Sequence, residues 1–279
     1  MPRLSAVVIA FNEEKYIAQC IRSLQTVADE VVVLDSFSTD STPAICRELG
    51  VRFHQQEFLG YIEQKQEAVK LATHDCILSL DADEALSEEL AASITEVKEN
   101  WTHDAYVFRR LNNFCGRWMW HTNLYPDRKL RMFDRRKAAW GGVNPHDMVV
   151  IRPDASKRLL RGHLLHWMCD TYEEHLQKTE RFAGIAAREA WLRGDRAPVW
   201  KVVLNPVWRF IHNFIIKHGF MQGYQGFIVS KYTALLGFLK YTKLRRLHAV
   251  KTSGTTGSEG GVNIAGKAQL SDPTKKIIK

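Results

Sequence analysis

The first 110 residues alternate between short apolar runs and segments with helical periodicity. Residues 4–10, 30–34 and 76–80 are apolar runs that are too short for helices and suit buried parallel strands. Between them, segments such as residues 14–24 place their apolar side chains on one helical face. This alternation predicts an α/β fold with a mostly parallel sheet, right-handed crossovers and helices on its faces.

Polar residues follow three of the predicted strands at the point where each strand ends. Asn12 follows the first strand, Asp35 ends the second, and Asp81 and Asp83 come after residues 76–80. Ligands of parallel α/β sheets bind at the carboxyl ends of the strands. These side chains are therefore predicted to meet at one edge of the sheet, although they are far apart in the sequence.

Asp81 and Asp83 are the strongest chemical signal, since two carboxylates one residue apart can face the same pocket where the chain turns. Mg²⁺ and Mn²⁺ prefer such oxygen ligands together with substrate phosphates. A bound cation would neutralise the charge that develops on a departing diphosphate. A solvated acidic loop is the alternative interpretation, and the buried strand before the motif favours the cation site.

The charge distribution predicts an anionic partner. The chain has a net charge of +8 and a pI of about 9.2. Residues 197–250 contain eight lysines and arginines and no acid, beside apolar residues at helical spacing, for example Val207, Phe210, Ile211 and Phe214. Basic amphipathic helices of this kind bind anionic membrane surfaces. A helical subdomain that packs on the core is the alternative.

Neither a secretory signal nor a transmembrane segment is predicted, because no stretch of ~18 apolar residues occurs and the chain begins directly with a strand. The five scattered cysteines form no C-x-x-C pair, which indicates reduced thiols in a cytosolic compartment. Together with the basic amphipathic region, these features predict a cytoplasmic protein that lies peripherally on a membrane surface.

Three motifs together resemble the inverting family 2 glycosyltransferases with a GT-A fold. They are Ala10-Phe11-Asn12-Glu13-Glu14, the Ser/Thr-rich run at 35–42, and Asp81-Ala82-Asp83-Glu84. Residues 118–133, 144–147 and 219–226 resemble more loosely the branch of lipopolysaccharide core glucosyltransferases that act on heptose. The resemblance extends to about residue 248.

The resemblance implies a role for each matching residue. Asp83 would be the main metal ligand, with Asp81 near the ribose and the metal. His166 is the candidate for a further ligand, and a core histidine with satisfied hydrogen bonds is the alternative for it. Asp147 would be the general base; it follows His146 where many relatives have His-Glu, so its carboxylate is one methylene shorter. His163 is the other candidate histidine. The residues expected to bind the nucleotide sugar are Asn12, Glu13, Asp35, Lys65, Asp81, Arg128 and Arg131.

The expected activity is inverting transfer of a hexose, with glucose from UDP-glucose as the family-level expectation, to a lipid-linked or lipopolysaccharide-core glycan. A polyprenyl-phosphate glycosyltransferase and a non-catalytic nucleotide-sugar-binding protein are the alternatives. A nucleic-acid-binding protein is not favoured, because no known nucleic-acid motif occurs. The predicted parts are a GT-A catalytic domain at 1–168, a helical membrane-proximal region at 169–250 and a flexible basic tail at 251–279.

Overall fold

The computed structural model describes residues 2–143 and 146–253. The strands are β1 Leu4–Ala10, β2 Glu30–Asp35, β3 Arg52–Gln55, β4 Cys76–Asp81, β5 Glu84–Leu86, β6 Ala105–Phe114, β7 Arg117–Met119, β8 Asp127–Asp134, β9 Ala138–Val143, β10 His146–Ile151 and β11 Lys157–Cys169. The helices are α1 Ile17–Gln25, α2 Thr42–Glu48, α3 Tyr61–Leu71, α4 Glu88–Glu99, α5 Tyr172–Leu192, α6 Val199–Ile211 and α7 Gly223–Ser253. The tail predicted at 251–279 lies mostly outside the described residues.

One mixed sheet organises the fold, with the strand order β3-β2-β1-β4-β8-β6-β11-β5 and with β7 paired to β6. Strands β3, β2, β1 and β4 are parallel, as the sequence predicts. Strand β8 runs antiparallel to both β4 and β6, and β11 is parallel to β6. The predicted α/β architecture with flanking helices is confirmed, and the antiparallel β8 makes its sheet mixed.

The register of β1 explains why the acids lie together. Ala10 pairs with Asp35 on one side, and Ile9 pairs with Asp81 on the other. Both carboxylates therefore lie at the carboxyl edge of the parallel strands. The strands are held there by a core on both faces, since Val7 and Val8 point to opposite sides of β1 and are both buried.

A helical layer follows the sheet. Strand β11 ends at Cys169, and α5 begins at Tyr172 with Thr171 as its N-cap, close to the predicted boundary at residue 168. Helix α7 packs between α5 and α6. A π-helical turn at His212–Ile216 and a 3-10 turn at Gly219–Gln222 connect α6 to α7. Among the described residues, no helix is long and apolar enough to span a bilayer.

Candidate active site at the carboxyl edge of the sheet

A cleft of about 1170 Å³ opens at the carboxyl edge of β1 and β4, between the sheet and the β9–β10 hairpin. It brings together most of the site residues predicted from the sequence. Those that line it are Glu13, Lys65, Asp81, Asp83, Arg128, Arg131, Asp147 and His166. The convergence expected from the strand pattern is therefore present in the structure, and it extends to residues more than 80 positions apart.

Asn12 and Asp35 shape the turn beside the cleft. Asn12 has a positive φ of 53°, and its Oδ1 accepts a hydrogen bond of 2.8 Å from the backbone N–H of Thr39. Asp35 is fully buried; its carboxylate accepts hydrogen bonds from the hydroxyl and the N–H of Ser38 and from Gln55 Nε2. Asn12 therefore joins the loop after β1 to the loop after β2, whereas Asp35 holds the loop after β2 to itself and to the end of β3.

Lys65 bridges two carboxylates. Its ammonium lies 2.7 Å from Asp81 Oδ1 and 2.7 Å from Asp147 Oδ2, and its side chain is only 4% exposed. The same ammonium lies over the ring of Trp140 at 4.4 Å from the centroid, which adds a cation–π contact. Helix α3 thus carries the positive charge that links the last residue of β4 to the hairpin residue Asp147.

Arg131 occupies the other oxygen of Asp81. Its Nη2 lies 2.6 Å from Asp81 Oδ2 and 2.8 Å from Oε1 of the buried Glu84. Burial raises the pKa of Asp81, but Arg131 and Lys65 outweigh that effect and hold the pKa well below its usual range. Asp81 is therefore ionised, and both of its oxygens are already engaged by protein cations.

A β-bulge places Arg131 in this position. Along β6, Tyr106 pairs with Met132 and the next residue, Val107, pairs with Leu130, so Arg131 has no partner opposite it. A bulge of this kind turns a side chain away from the regular alternation of the strand. Arg131 is buried in the ion-pair network, whereas Arg128 is exposed and faces the cleft.

Asp83 faces His166 across the cleft. Asp83 Oδ2 lies 3.3 Å from His166 Nε2, and the Asp83 carbonyl accepts a hydrogen bond from Trp167 N–H at 3.0 Å. Asn112 fixes the imidazole: its Nδ2 donates to the Leu124 carbonyl, so its Oδ1 accepts from His166 Nδ1 at 2.6 Å. In the neutral imidazole, Nε2 then carries a lone pair directed at the Asp83 side.

Glu13 is a half-buried carboxyl group that lines the cleft. Burial raises the pKa of Glu13 to about 8, with a further contribution from the negative charge of Asp83. Without a cation or another positive group beside it, this carboxyl holds a proton at neutral pH. The pKa of Glu13 is raised and the pKa of Asp81 in the same cleft is lowered. Opposite pKa shifts of neighbouring acids are typical of functional sites.

The roles of several residues of the site are not predicted from the sequence. Glu84 belongs to the acidic motif, and its burial at 1% exposure shows that it anchors Arg131 and Arg110. Asn112 and Trp140 gave no sequence signal, because their functions depend on contacts with residues 54 and 75 positions away. Strong hydrogen-bond donors remain unpartnered within the described part of the chain: Arg131 Nε and Trp140 Nε1 are buried in the cleft wall.

The aromatic residues near the cleft form a separate group. Trp118 packs edge-on against Trp167, which itself stacks on Tyr16 at 5.5 Å. Trp120 remains 47% exposed and packs edge-on against Tyr125 and His163. His163 bonds the Tyr125 hydroxyl at 3.0 Å and does not approach Asp83, so of the two candidate histidines only His166 faces the acidic motif.

Comparisons with known proteins agree with this architecture. The sequence profile of glycosyl transferase family 2 matches residues 5–160, more than half of the chain. An uncharacterised glycosyltransferase of Rickettsia felis is 30% identical over 88% of this chain and 90% of its own length. The lipopolysaccharide core biosynthesis glycosyltransferase LpsC of Rhizobium meliloti is 29% identical over 89% of this chain and 94% of its own.

One solved structure with detectable similarity is glucosyl-3-phosphoglycerate synthase from Mycobacterium tuberculosis, in complex with Mg²⁺ and UDP. It is 27% identical, covers 30% of this chain and 34% of its own, and has a TM-score of 0.28.

Proposed function

Because the chain belongs to glycosyl transferase family 2 and is a glycosyltransferase, we propose that it transfers a hexose, with inversion, from a nucleotide diphosphate sugar to a lipid-linked or lipopolysaccharide-core glycan. The observation that carries the proposal is the pair of Asp83 and His166 at the carboxyl edge of β4. UDP-glucose is the proposed donor. The similarity to LpsC supports the proposed acceptor class.

The donor set at this pair fits a divalent cation. One carboxylate and one imidazole lone pair converge, and Mg²⁺ or Mn²⁺ commonly takes one or two protein ligands together with substrate phosphate oxygens. No group of three or more metal-ligating side chains is found in the part of the chain that the structure describes. The pair would therefore hold a cation jointly with a diphosphate, and the cation would neutralise the leaving group.

Asp81 is less available than Asp83 to bind the cation. Lys65 and Arg131 already engage its two oxygens, so a direct bond to a metal would have to displace one of them. In our proposal Asp81 mainly orients these two cations and contacts the ribose. Glu13, Asn12 and Asp35 border the nucleotide side of the cleft.

The cleft wall offers positive groups for a diphosphate. Arg128 is exposed beside it, and buried Arg131 and Trp140 each retain an unpartnered N–H within the described residues. Arginine is suited to bidentate contacts with phosphate oxygens. Lys65 would contribute its charge from the side of Asp147.

Asp147 is the proposed general base. Inverting transfer is one in-line displacement: the acceptor oxygen forms a bond to the anomeric carbon, the bond from that carbon to the diphosphate breaks, and a carboxylate accepts the proton of the acceptor hydroxyl. Asp147 lies on the β9–β10 hairpin that covers the cleft, and its side chain is 16% exposed. Its ion pair with Lys65 at 2.7 Å orients the carboxylate.

The protein is further proposed to act at the inner face of the bacterial cytoplasmic membrane. The acceptor would be lipid-linked, and the region after Asp195 carries an excess of positive charge. A polyprenyl-phosphate acceptor is the nearest alternative. Parallel assays with polyprenyl phosphate and with lipopolysaccharide-core glycan distinguish the two acceptors.

The decisive experiment compares two aspartates at opposite ends of β4. Asp83→Asn should abolish Mn²⁺-dependent UDP binding and sugar transfer. Asp75→Asn is the control, since Asp75 precedes β4 and pairs with Arg135 at the opposite edge, with 46% exposure. Calorimetric titration of UDP with and without Mn²⁺ measures the coupling. Full transfer by Asp83→Asn, or full wild-type activity in EDTA, would refute the cation mechanism.

A further inference from the structure

Helix α6 presents its apolar side to solvent. Trp200, Leu204 and Trp208 follow one another at four-residue spacing and are each more than half exposed. Every residue of this helix is at least partly exposed. An amphipathic helix of a water-soluble domain normally turns its apolar stripe toward the core. Helix α6 does the reverse, so the stripe has another partner or an unfavourable contact with water.

The inner face of α6 is the more polar one. Arg209 donates a hydrogen bond to Asn205 Oδ1 at 2.7 Å, and both side chains lie against Gly237 of α7, close enough that a Cβ there would collide with them. Phe210 adds an aromatic contact with Phe227 at 5.7 Å, and the ammonium of Lys201 lies 5.9 Å from the ring centroid of Tyr241 on α7. The predicted stripe is thus divided: Phe210 and Phe214 pack inward, and Val207 and Ile211 face outward.

The exposed apolar surface continues past α6 through both turns to the start of α7. We call it the apolar ridge. Its thirteen large side chains are each at least 41% exposed: Val199, Trp200, Val203, Leu204, Val207, Trp208, Ile211, Ile215, Ile216, Phe220, Met221, Tyr224 and Phe227. Large exposed apolar patches mark interaction sites in soluble proteins. Scattered exposure does not explain thirteen such residues within 29 positions.

The charges around the apolar ridge identify its partner. Residues 196–253 contain ten lysines and arginines and no aspartate or glutamate. A second copy of the chain would bring two regions of like charge together, which opposes association. An anionic bilayer offers both complements, because its head groups attract the cations and its acyl chains accept the apolar side chains.

We infer that the apolar ridge inserts into the interfacial region of an anionic lipid bilayer and is the principal membrane contact of this protein. Several C-terminal cations are less available for that contact. Lys243 donates to the Glu180 carbonyl at 3.0 Å, and Arg245 donates to the Ala197 carbonyl at 3.0 Å. Apolar insertion therefore contributes most of the binding, and charge adds to it.

The attachment also sets the orientation of the catalytic cleft. Two hydrogen bonds connect the turns before α7 to the segment after β7. The Thr122 N–H donates to the Lys217 carbonyl at 3.0 Å, and the Asn123 N–H donates to Asn213 Oδ1 at 2.6 Å. That segment connects β7 with β8, near the end of β6 that carries Asn112. The apolar ridge is thus joined to the edge of the sheet where Asp83 and His166 lie.

The proposal concerns attachment and holds for any sugar that the enzyme transfers, so it is tested apart from the transfer reaction. Leu204→Gln/Ile211→Gln changes two leucine-sized side chains of the ridge. Leu176→Gln/Leu192→Gln is the matched control, since these side chains on α5 are 42% and 68% exposed. Thermal melts and hydrolysis of UDP-glucose in solution establish that both variants fold and react normally.

Cosedimentation with phosphatidylglycerol–phosphatidylcholine vesicles measures the partition coefficient. We expect the partition coefficient of the ridge variant to fall by about tenfold or more, which corresponds to about 1.4 kcal/mol. The partition coefficient of the control variant should fall by less than about twofold. Wild-type protein should stay partly bound at ~1 M salt, where the screening length is ~3 Å, with a blue shift of tryptophan emission.

Equal binding of the ridge variant and wild type would overturn the proposal. So would complete release by salt, which would assign the attachment to charge alone. Concentration-dependent dimerisation of wild type, abolished in the ridge variant and accompanied by no vesicle binding, would assign the ridge to a second copy. Loss of UDP-glucose hydrolysis in every form, with vesicle binding intact, would contradict the proposed function and leave this inference standing.

Discussion

Replacing Lys65 with methionine tests whether the ion-pair network holds the cleft together. Methionine keeps most of the apolar stem of the lysine and removes the ammonium that contacts Asp81 and Asp147. Removing one partner of a buried ion pair typically costs 3–5 kcal/mol, because a carboxylate is left without its counter-charge. Asp81 keeps Arg131, and Asp147 is 16% exposed and can regain some hydration. We therefore expect about 3 kcal/mol, the lower end of that range.

A loss of that size is readily measured by calorimetry or thermal melts. For a chain of roughly this size, 1 kcal/mol lowers the Tm by about 2–4 °C, so Lys65→Met should melt about 6–12 °C below wild type. Lys70→Met is the control on the same helix. Lys70 pairs with Glu67 at the surface with 68% exposure, and loss of a surface pair costs less than about 1 kcal/mol.

A double-mutant cycle identifies which carboxylate is responsible. In the Lys65→Met background, Asp147→Asn should restore about 1–2 kcal/mol, because the neutral amide no longer needs a counter-charge. Additive effects of the two substitutions would show that Lys65 and Asp147 do not interact in solution. A Tm change of less than about 2 °C for Lys65→Met would refute the argument from burial.

Three further outcomes are expected. Asp147→Asn should lower turnover by about 10²–10⁴-fold, the range for a general base, with UDP binding unchanged in calorimetry; a parallel loss of donor affinity would make Asp147 a binding residue. Burial raises the pKa of Glu30, but its hydrogen bonds with Ser5, Thr73 and Arg52 outweigh this and lower it to about 2. Its stabilising effect is therefore complete above pH ~4.5 and lost as the pH falls toward 2, so the Tm difference between wild type and Glu30→Gln should shrink across that interval; a constant difference would contradict it. Gly226→Ala should cost about 3 kcal/mol or more in urea unfolding, because its Cβ would lie 1.8 Å from the Gly219 carbonyl oxygen. Gly184→Ala should be neutral or stabilising, because its Cβ would lie 3.7 Å from Lys243 Nζ, an ordinary contact. Equal effects of the two substitutions would show that the close approach at Gly226 is relaxed in solution.

The parallel half of the fold follows directly from the sequence. Residues 4–10 form β1, residues 30–34 lie within β2 and residues 76–80 lie within β4, as their apolar runs predict. Local patterns suffice there, because a buried parallel strand is apolar throughout and a helix repeats its apolar face. The carboxyl edge of these strands then locates Asp81 and Asp83.

The remaining half depends on contacts that no local pattern encodes. Strand β8 enters the sheet antiparallel between β4 and β6, and Arg131 consequently contacts Asp81 and Glu84. The sequence motifs predict Arg131 as a residue that binds the nucleotide sugar and do not indicate this ion pair. The role of Arg131 toward a nucleotide sugar stays a prediction. The orientation of α6 could not be predicted from the sequence either. Helical periodicity defines an apolar stripe but does not say whether the stripe faces the core or the solvent.

The bulge on β8 constrains how this strand can change in length. Side chains alternate between the two faces of a strand, so removing one residue moves everything on one side of the deletion to the opposite face. Arg131 is the exception, because it is the extra residue of the bulge: without it Leu130 would still pair with Val107 and Met132 with Tyr106, so residues 127–130 would keep their faces. The loss would fall on Asp81 and Glu84, which share the guanidinium of Arg131. Deletion of Arg131 should therefore resemble its substitution, whereas deletion of another residue of β8 should also move cleft side chains to the opposite face of the sheet.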